Sequence, residues 1–179
     1  PLAGGSLLPH GPSLAGVVVL ALAEGREGLA ELWRRVSRWR VGWRWYLVAP
    51  GLVVANLAVA LALNVLFGAQ IAETAHLRSP GALGAMLLEL LLGGKWEEPG
   101  WTGYALPRLQ GRYAGRKYGL LLASLYLGAL RAAWYLPLAI YGHIPWLDVV
   151  LFEMAFQFFI TWLFNRTGGS VLIAMLFHL

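Results

Sequence analysis

Two adjacent carboxylates, Glu97 and Glu98, follow a long apolar run and are the residues best placed to do chemistry. The run from residue 80 to 94 contains one ionisable side chain, Glu89. Two neighbouring carboxylates repel one another, so one of them should hold its proton unless a cation is near, and such a group suits a general acid or base. The alternative interpretation is an interfacial carboxylate pair that lipid head groups and water keep solvated.

Arg131 and Tyr135 lie four residues apart in a second apolar run, residues 119–141, and therefore on one helical face. A guanidinium in apolar surroundings needs an anion. We expect Arg131 to neutralise the Glu97–Glu98 pair, and the alternative is a structural bridge to Glu153 in the next run. The other polar residues within apolar runs, each a candidate for a functional role, are Asn56, Asn64, Glu89, Gln157 and His178.

The sequence predicts no metal or other cofactor. It contains no cysteine, which excludes thiol catalysis, thiolate zinc sites and iron–sulfur clusters. His10, His76 and His143 have no histidine or carboxylate at i+3 or i+4, the spacing that places two ligands on one helical face.

The elements that must position these residues are transmembrane helices. Apolar residues make up 59% of the 179 residues, charged residues 13%, and the mean hydropathy is +0.62, whereas soluble domains are about 25% charged. We predict an all-α polytopic transmembrane bundle forming one domain, residues 1–179, with about six spans or part-spans. The predicted spans are 12–23, 46–68, 80–94, 119–141, 146–164 and 169–179. Because the chain begins at Pro1 and stops in an apolar run, a fragment is expected.

The basic residues indicate the orientation. Twelve of the fourteen lie in the loops on one side of this arrangement, Arg78 lies opposite and Arg131 lies within a span. Cytoplasmic loops carry an excess of Lys and Arg, so we expect an integral protein of the bacterial inner (plasma) membrane with its basic loops in the cytoplasm.

Residues 24–45 form a candidate interfacial helix. Apolar residues and tryptophans recur there at three- and four-residue steps, with arginines between them. This pattern is typical of an amphipathic helix lying at head-group depth. We therefore expect anionic lipid head groups as partners, and no nucleic acid.

Three segments resemble the motifs of the CPBP family of intramembrane proteases (CAAX protease and bacteriocin-processing, or Abi). The first, from Glu97 to Gln110, reads EEPGWTGYALPRLQ and resembles Glu-Glu-x-x-x-Arg followed by Gly-aromatic-x-Leu-Pro-Arg-Leu. The second, GALRAAWYLPL from Gly128 to Leu138, resembles Phe-x-x-x-His with a trailing Leu-Pro-Leu. The third, NRTGGS from Asn165 to Ser170 with an apolar run to His178, resembles the approach to His-x-x-x-Asn.

The resemblance implies an all-helical membrane endopeptidase that cleaves near the C-terminus of its substrate. Glu97 would match the catalytic glutamate that activates a water, Glu98 its neighbour, and His178 the histidine that stabilises the oxyanion. Two motifs depart from the family pattern. Thr102 replaces the arginine of the first, and in the second Tyr135 replaces the histidine and Arg131 the phenylalanine.

The substitutions leave two functions open. A phenol with a pKa near 10 does not exchange a proton at neutral pH as imidazole does. We expect weakened or lost peptidase chemistry and a binding or accessory role in a membrane complex, with another membrane subunit or a peptide as partner. The alternative is an active endopeptidase that uses a water activated by Glu97.

Overall fold

The computed structural model describes residues 10–68 and 80–179. The predictions about His76 and Arg78 lie outside these residues. Within them the chain is helical and contains no strand, so the predicted all-α architecture is confirmed. The described residues form eight α-helices, which are α1 (Gly11–Ala23), α2 (Gly25–Val36), α3 (Trp45–Leu66), α4 (Pro80–Leu92), α5 (Leu106–Arg112), α6 (Gly119–Ile140), α7 (Glu153–Arg166) and α8 (Val171–Phe177).

Three helical segments of the described chain are long and apolar enough to cross a membrane. They are α3, α6 and the stretch Val149–Arg166 that includes α7, and α1 is a shorter apolar helix. The protein is therefore an integral membrane protein, and α3 and α6 agree with predicted spans to within two residues at each end. The arrangement of six spans stays a prediction.

The helix predicted over residues 24–45 is shorter than expected. The backbone of Gly25, at φ 61°, separates α1 from α2, and α2 ends at Val36, where Ser37 Oγ donates to the Trp33 carbonyl. The following residues form turns, and Tyr46 Oη donates to the Trp39 carbonyl at 2.5 Å. Trp39 and Trp43 therefore lie on an irregular linker between α2 and α3 and not on a helix.

Helix α4 agrees with the third predicted span, 80–94, to within two residues at each end. Helix α4 ends at Leu92, and Gly93 adopts an extended conformation. A 3₁₀ turn over Gly94–Glu97 and a π-helical segment over Pro99–Ala105 then lead into α5. This second helical stretch, 94–112, is buried around Glu97 and Glu98, so the two carboxylates lie inside the bundle instead of at the end of a span.

Helix α8 has seven residues where a span over 169–179 was expected, and it is the centre of the packing. Two apolar clusters meet on it. One joins the start of α3 to α7 through Ala49, Ile160 and Phe177, and the other joins α5, α6 and α7 through Leu106, Leu127 and Val171. The site lies beside this centre.

Candidate functional site

Five residues singled out from the sequence meet in the interior of the bundle. Glu97 and Glu98 come from the 3₁₀–π stretch, Arg131 and Tyr135 from α6, and His178 from the end of α8. Glu97 is 2% exposed, and Glu98 and Arg131 are fully buried. The four-residue spacing of Arg131 and Tyr135 places both side chains against the carboxylates.

Glu98 is an ion-pair partner of Arg131. Its Oε1 accepts from Arg131 Nη2 and lies 2.6 Å from His178 Nδ1, and its Oε2 accepts from Thr102 Oγ1. The expectation that Arg131 pairs with the Glu97–Glu98 carboxylates is confirmed. Arg131 makes neither an ion pair nor a hydrogen bond with Glu153 in the described chain, so the alternative bridge is wrong.

Glu97 is held by two different donors. Tyr135 Oη donates to its Oε1 at 2.6 Å, and Trp101 Nε1 donates to its Oε2 at 3.1 Å. Tyr135, at the position where the resemblance implies a histidine, thus contacts Glu97 directly. A bond of this length leaves no space for a water molecule between the two groups.

The remaining surface of the Arg131 guanidinium faces aromatic rings. Its Cζ lies 5.7 Å from the ring centroid of Trp101 and 5.4 Å from that of Phe156. Its Nε and Nη1 have no hydrogen-bond partner among the described residues, and neither do Glu153 Oε2 and Gln157 Oε1. Cation–π attraction compensates part of the cost of burying these N–H groups.

The start of α1 holds the turn that carries the two carboxylates. Ser13 Oγ donates to the Trp96 carbonyl at 2.5 Å and accepts from the Gly100 N–H at 3.0 Å. These two segments of the backbone are so close that a Cβ on Gly100 would lie 2.2 Å from the Pro12 carbonyl. Ser13, Gly100 and Trp101 were not singled out from the sequence as parts of the site. A serine opening an apolar helix was the available signal, but its partner cannot be known before the helices pack.

Both ring nitrogen atoms of His178 lie close to the 3₁₀–π stretch, and its side chain is 16% exposed. Nδ1 contacts Glu98, and a Cβ on Gly94 would lie 2.9 Å from Nε2. The ring packs edge-on against Phe156, with centroids 4.9 Å apart. Its position beside the carboxylates agrees with the resemblance, and its role as an oxyanion donor stays a prediction.

An apolar cavity of about 530 Å³ opens beside the cluster. Its walls come from α3, from α7 with the turn before it, and from the end of α8, and its polar lining residues are Asn56, Glu153 and His178. The buried, unpartnered Oε2 belongs to this same Glu153. The cavity is therefore mainly apolar and reaches the edge of the ionic cluster at His178.

The other polar residues lie away from the cluster or support helices locally. Asn64 Nδ2 donates to the Ala60 carbonyl at 2.8 Å, Gln157 Nε2 donates to Thr161 at 3.1 Å, and the Glu89 side chain lies beside Gly93. His143 is exposed, and His10 Nδ1 is buried without a partner among the described residues. In residues 10–68 and 80–179, no three His, Asp or Glu side chains are arranged to hold a metal ion.

Comparison with known proteins gives the class of this site. A family model described as type II CAAX prenyl endopeptidase Rce1-like matches residues 79–179, which contain all five clustered residues. The chain belongs to this Rce1-like family, as the motifs at Glu97, Tyr135 and His178 indicated.

A curated relative agrees with this assignment. The CAAX prenyl protease 2 of Methanococcus maripaludis is 32% identical over 104 residues. The matched region covers 52% of this chain and 36% of the relative, so the chain spans about a third of that protein's length.

Proposed function

We propose that this protein keeps the CAAX-protease fold as a membrane-embedded binding or accessory component and has weak or no peptidase activity. The observation that carries the proposal is the direct hydrogen bond, 2.6 Å long, from Tyr135 Oη to Glu97 Oε1. By resemblance, these two positions would hold the attacking water between them. A phenol bonded directly to the glutamate occupies that position and accepts no proton at neutral pH.

The partners of Glu98 and His178 support the same proposal. Glu98 accepts hydrogen bonds from Arg131 and Thr102 and contacts His178, so His178 Nδ1 is directed at this carboxylate. Stabilising an oxyanion requires donors that point at the developing charge. Here Arg131 Nη2, His178 Nδ1 and Thr102 Oγ1 are directed at a resident carboxylate, so these three groups do not point at the position of a developing oxyanion.

The cavity supports a binding role. Its volume of about 530 Å³ lies within the range of small-ligand pockets, about 300–1,000 Å³. The family and the relative's name point to the C-terminus of a prenylated peptide as the ligand class, and we propose that such a segment binds here without rapid cleavage.

The test uses the protein in liposomes with a fluorescent prenylated CAAX peptide. We expect binding, and cleavage no faster than in protein-free vesicles. The reverting variant Thr102→Arg/Arg131→Phe/Tyr135→His should raise cleavage by about 10²-fold or more, the contribution of a positioned acid–base group. Wild-type cleavage that Glu97→Gln abolishes would overturn the proposal.

The binding arm of the test uses a matched pair of variants. Ala155 lines the cavity, whereas Ala133 is exposed on α6 outside it. Ala155→Trp should weaken peptide binding at least tenfold, and Ala133→Trp should leave it unchanged. Equal effects of the two variants, or no peptide binding by the wild type, would contradict a binding role for this cavity.

One observation favours a second candidate, an active endopeptidase with a relocated base. Glu153 lines the cavity beside His178 and has an unpartnered oxygen, Oε2, which could accept a proton from a water molecule. In that case the wild type cleaves the peptide, Glu153→Gln abolishes cleavage, and Tyr135→Phe leaves it intact. Cleavage that persists in Glu153→Gln excludes this candidate.

A further inference from the structure

Three loops meet at one end of the bundle and carry an excess of cations. Ser170 Oγ donates to the Arg38 carbonyl at 2.7 Å, which joins the α2–α3 linker to the α7–α8 turn. Gln110 Nε2 donates to Asn165 Oδ1 at 3.1 Å, which joins the end of α5 to that same turn. The linker 37–44, the loop 111–118 and the turn 165–170 therefore form one surface, which we call the basic rim.

The basic rim contains seven cations and no acidic residue. All seven are exposed, and none forms an ion pair within the described residues; they are Arg38, Arg40, Arg44, Arg112, Arg116, Lys117 and Arg166. The net charge of the whole chain is only +5. The seven positive charges of the rim therefore exceed the net charge of the whole chain, so the residues outside the rim are net negative.

The neighbouring cations on α2 and α5 behave differently. Arg34 and Arg35 pair with Glu31, and Arg108 pairs with Glu24. The hydrogen bond from Arg35 to Glu31 lowers the pKa of that carboxyl group, assisted by the charges of Arg35 and Arg34. Glu31 therefore stays ionised and offsets one of the two arginine charges beside it, whereas none of the seven rim cations has an acidic partner within the described residues.

Aromatic side chains accompany the rim cations. Arg40 lies over Trp39, Arg116 over Tyr113 and Lys117 over Tyr118, with charge-to-centroid distances of 5.2, 5.6 and 5.2 Å. Trp39 is 62% exposed, Trp43 71% and Tyr118 58%. Tryptophan and tyrosine prefer the head-group level of a bilayer. A soluble acidic partner would not require such exposed rings, whereas a bilayer surface would cover them.

We propose that the basic rim binds the head groups of anionic phospholipids in the leaflet that it faces. The rim's arginines and lysine contact the phosphates, and the accompanying rings insert between the head groups. Attraction to an anionic membrane surface weakens about fivefold for each cation lost, and salt screens it.

The experiment measures lipid selectivity by electron paramagnetic resonance of the protein in phosphatidylcholine vesicles. The probes are spin-labelled phosphatidylglycerol and spin-labelled phosphatidylcholine. We expect phosphatidylglycerol to associate several-fold more strongly at 50 mM salt, and this preference to fall towards one at 500 mM. Arg40→Gln/Arg44→Gln should remove most of the preference, and Arg40→Lys/Arg44→Lys should keep it.

The matched control removes the same charge from ion-paired positions. Arg34→Gln/Arg108→Gln should keep the preference for phosphatidylglycerol within about twofold of the wild type. The proposal is overturned if the wild type does not distinguish the two lipids, as a surface for a soluble acidic protein would not. It is also overturned if this control loses as much selectivity as the rim variant.

Discussion

The guanidinium of Arg131 allows Glu98 to stay ionised in the interior of the bundle. Both side chains are fully buried, and breaking a buried pair costs about 3–5 kcal/mol, because one charge is left uncompensated. We predict that Arg131→Met lowers the free energy of unfolding by about this amount. Thermal unfolding in detergent, followed by circular dichroism, measures it.

A second substitution separates this effect from lost packing. Thr102 Oγ1 already contacts Glu98, so an arginine at this position can reach the same carboxylate from its own helix. Thr102→Arg/Arg131→Met should recover at least half of the stability that Arg131→Met loses. If the double variant is no more stable than the single one, an arginine at position 102 does not replace Arg131 as the ion-pair partner of Glu98.

The sequence could predict this pair but not its details. A cation within an apolar run must find an anion, and this rule left both the Glu97–Glu98 pair and Glu153 open. The resemblance, in which position 102 carries an arginine where this chain has Thr102, favoured the Glu97–Glu98 pair. The division of partners, with Arg131 on Glu98 and Tyr135 on Glu97, depends on the rotation of α6. Ser13 could not be found, because its contacts with Trp96 and Gly100 arise only when α1 packs against the 3₁₀–π stretch. Trp101 was missed although it lies four residues from Glu97, a spacing that the sequence shows.

At the level of elements, Gly100 sets how closely α1 approaches the 3₁₀–π stretch. A Cβ at Gly100 would overlap the backbone of Pro12, which cannot move without breaking the Ser13 hydrogen bonds. We predict that Gly100→Ala costs about 1–3 kcal/mol, the usual cost of overpacking. Gly111→Ala is the control, since a Cβ there meets nothing within 4 Å. Equal melting temperatures for the two variants would contradict the prediction.

The end of a helix could be predicted where the amino-acid composition changes at that point. It could not be predicted where the same residue pattern continues past the end of the helix. Helices α3 and α6 end near polar or glycine-containing loops, and their predicted ends differ from the observed ones by at most two residues. Helix α4 likewise ends within two residues of its predicted end, at the Gly93–Gly94 pair before Lys95. The 3₁₀–π stretch that follows was not predicted, because it resumes helical structure directly after that boundary. The interfacial helix was overextended because the periodic tryptophans continue past Ser37, where hydrogen bonding turns the chain.

At the scale of the whole molecule, the distribution of cations predicts which face lies in the cytoplasm. The rim and α2 carry most of the basic residues, and such regions remain inside. The chain has no cysteine, and Ala30 and Ala114 are exposed in these two regions. Cysteines introduced at Ala30 and Ala114 should react with an impermeant maleimide only when the cytoplasmic face is open. Labelling of both from the outside alone would reverse the orientation.

The central position of α8 has a consequence for biogenesis. Helix α8 is synthesised after all the other helices described, yet both apolar clusters are completed by it, through residues such as Ile173 and Met175. Until Val171–Phe177 leaves the ribosome, α5, α6 and α7 lack their shared packing partner, and Glu98 lacks its contact with His178. We therefore expect nascent chains stalled before residue 171 to be inserted in the membrane but sensitive to protease, and protection to arise in one step when α8 docks.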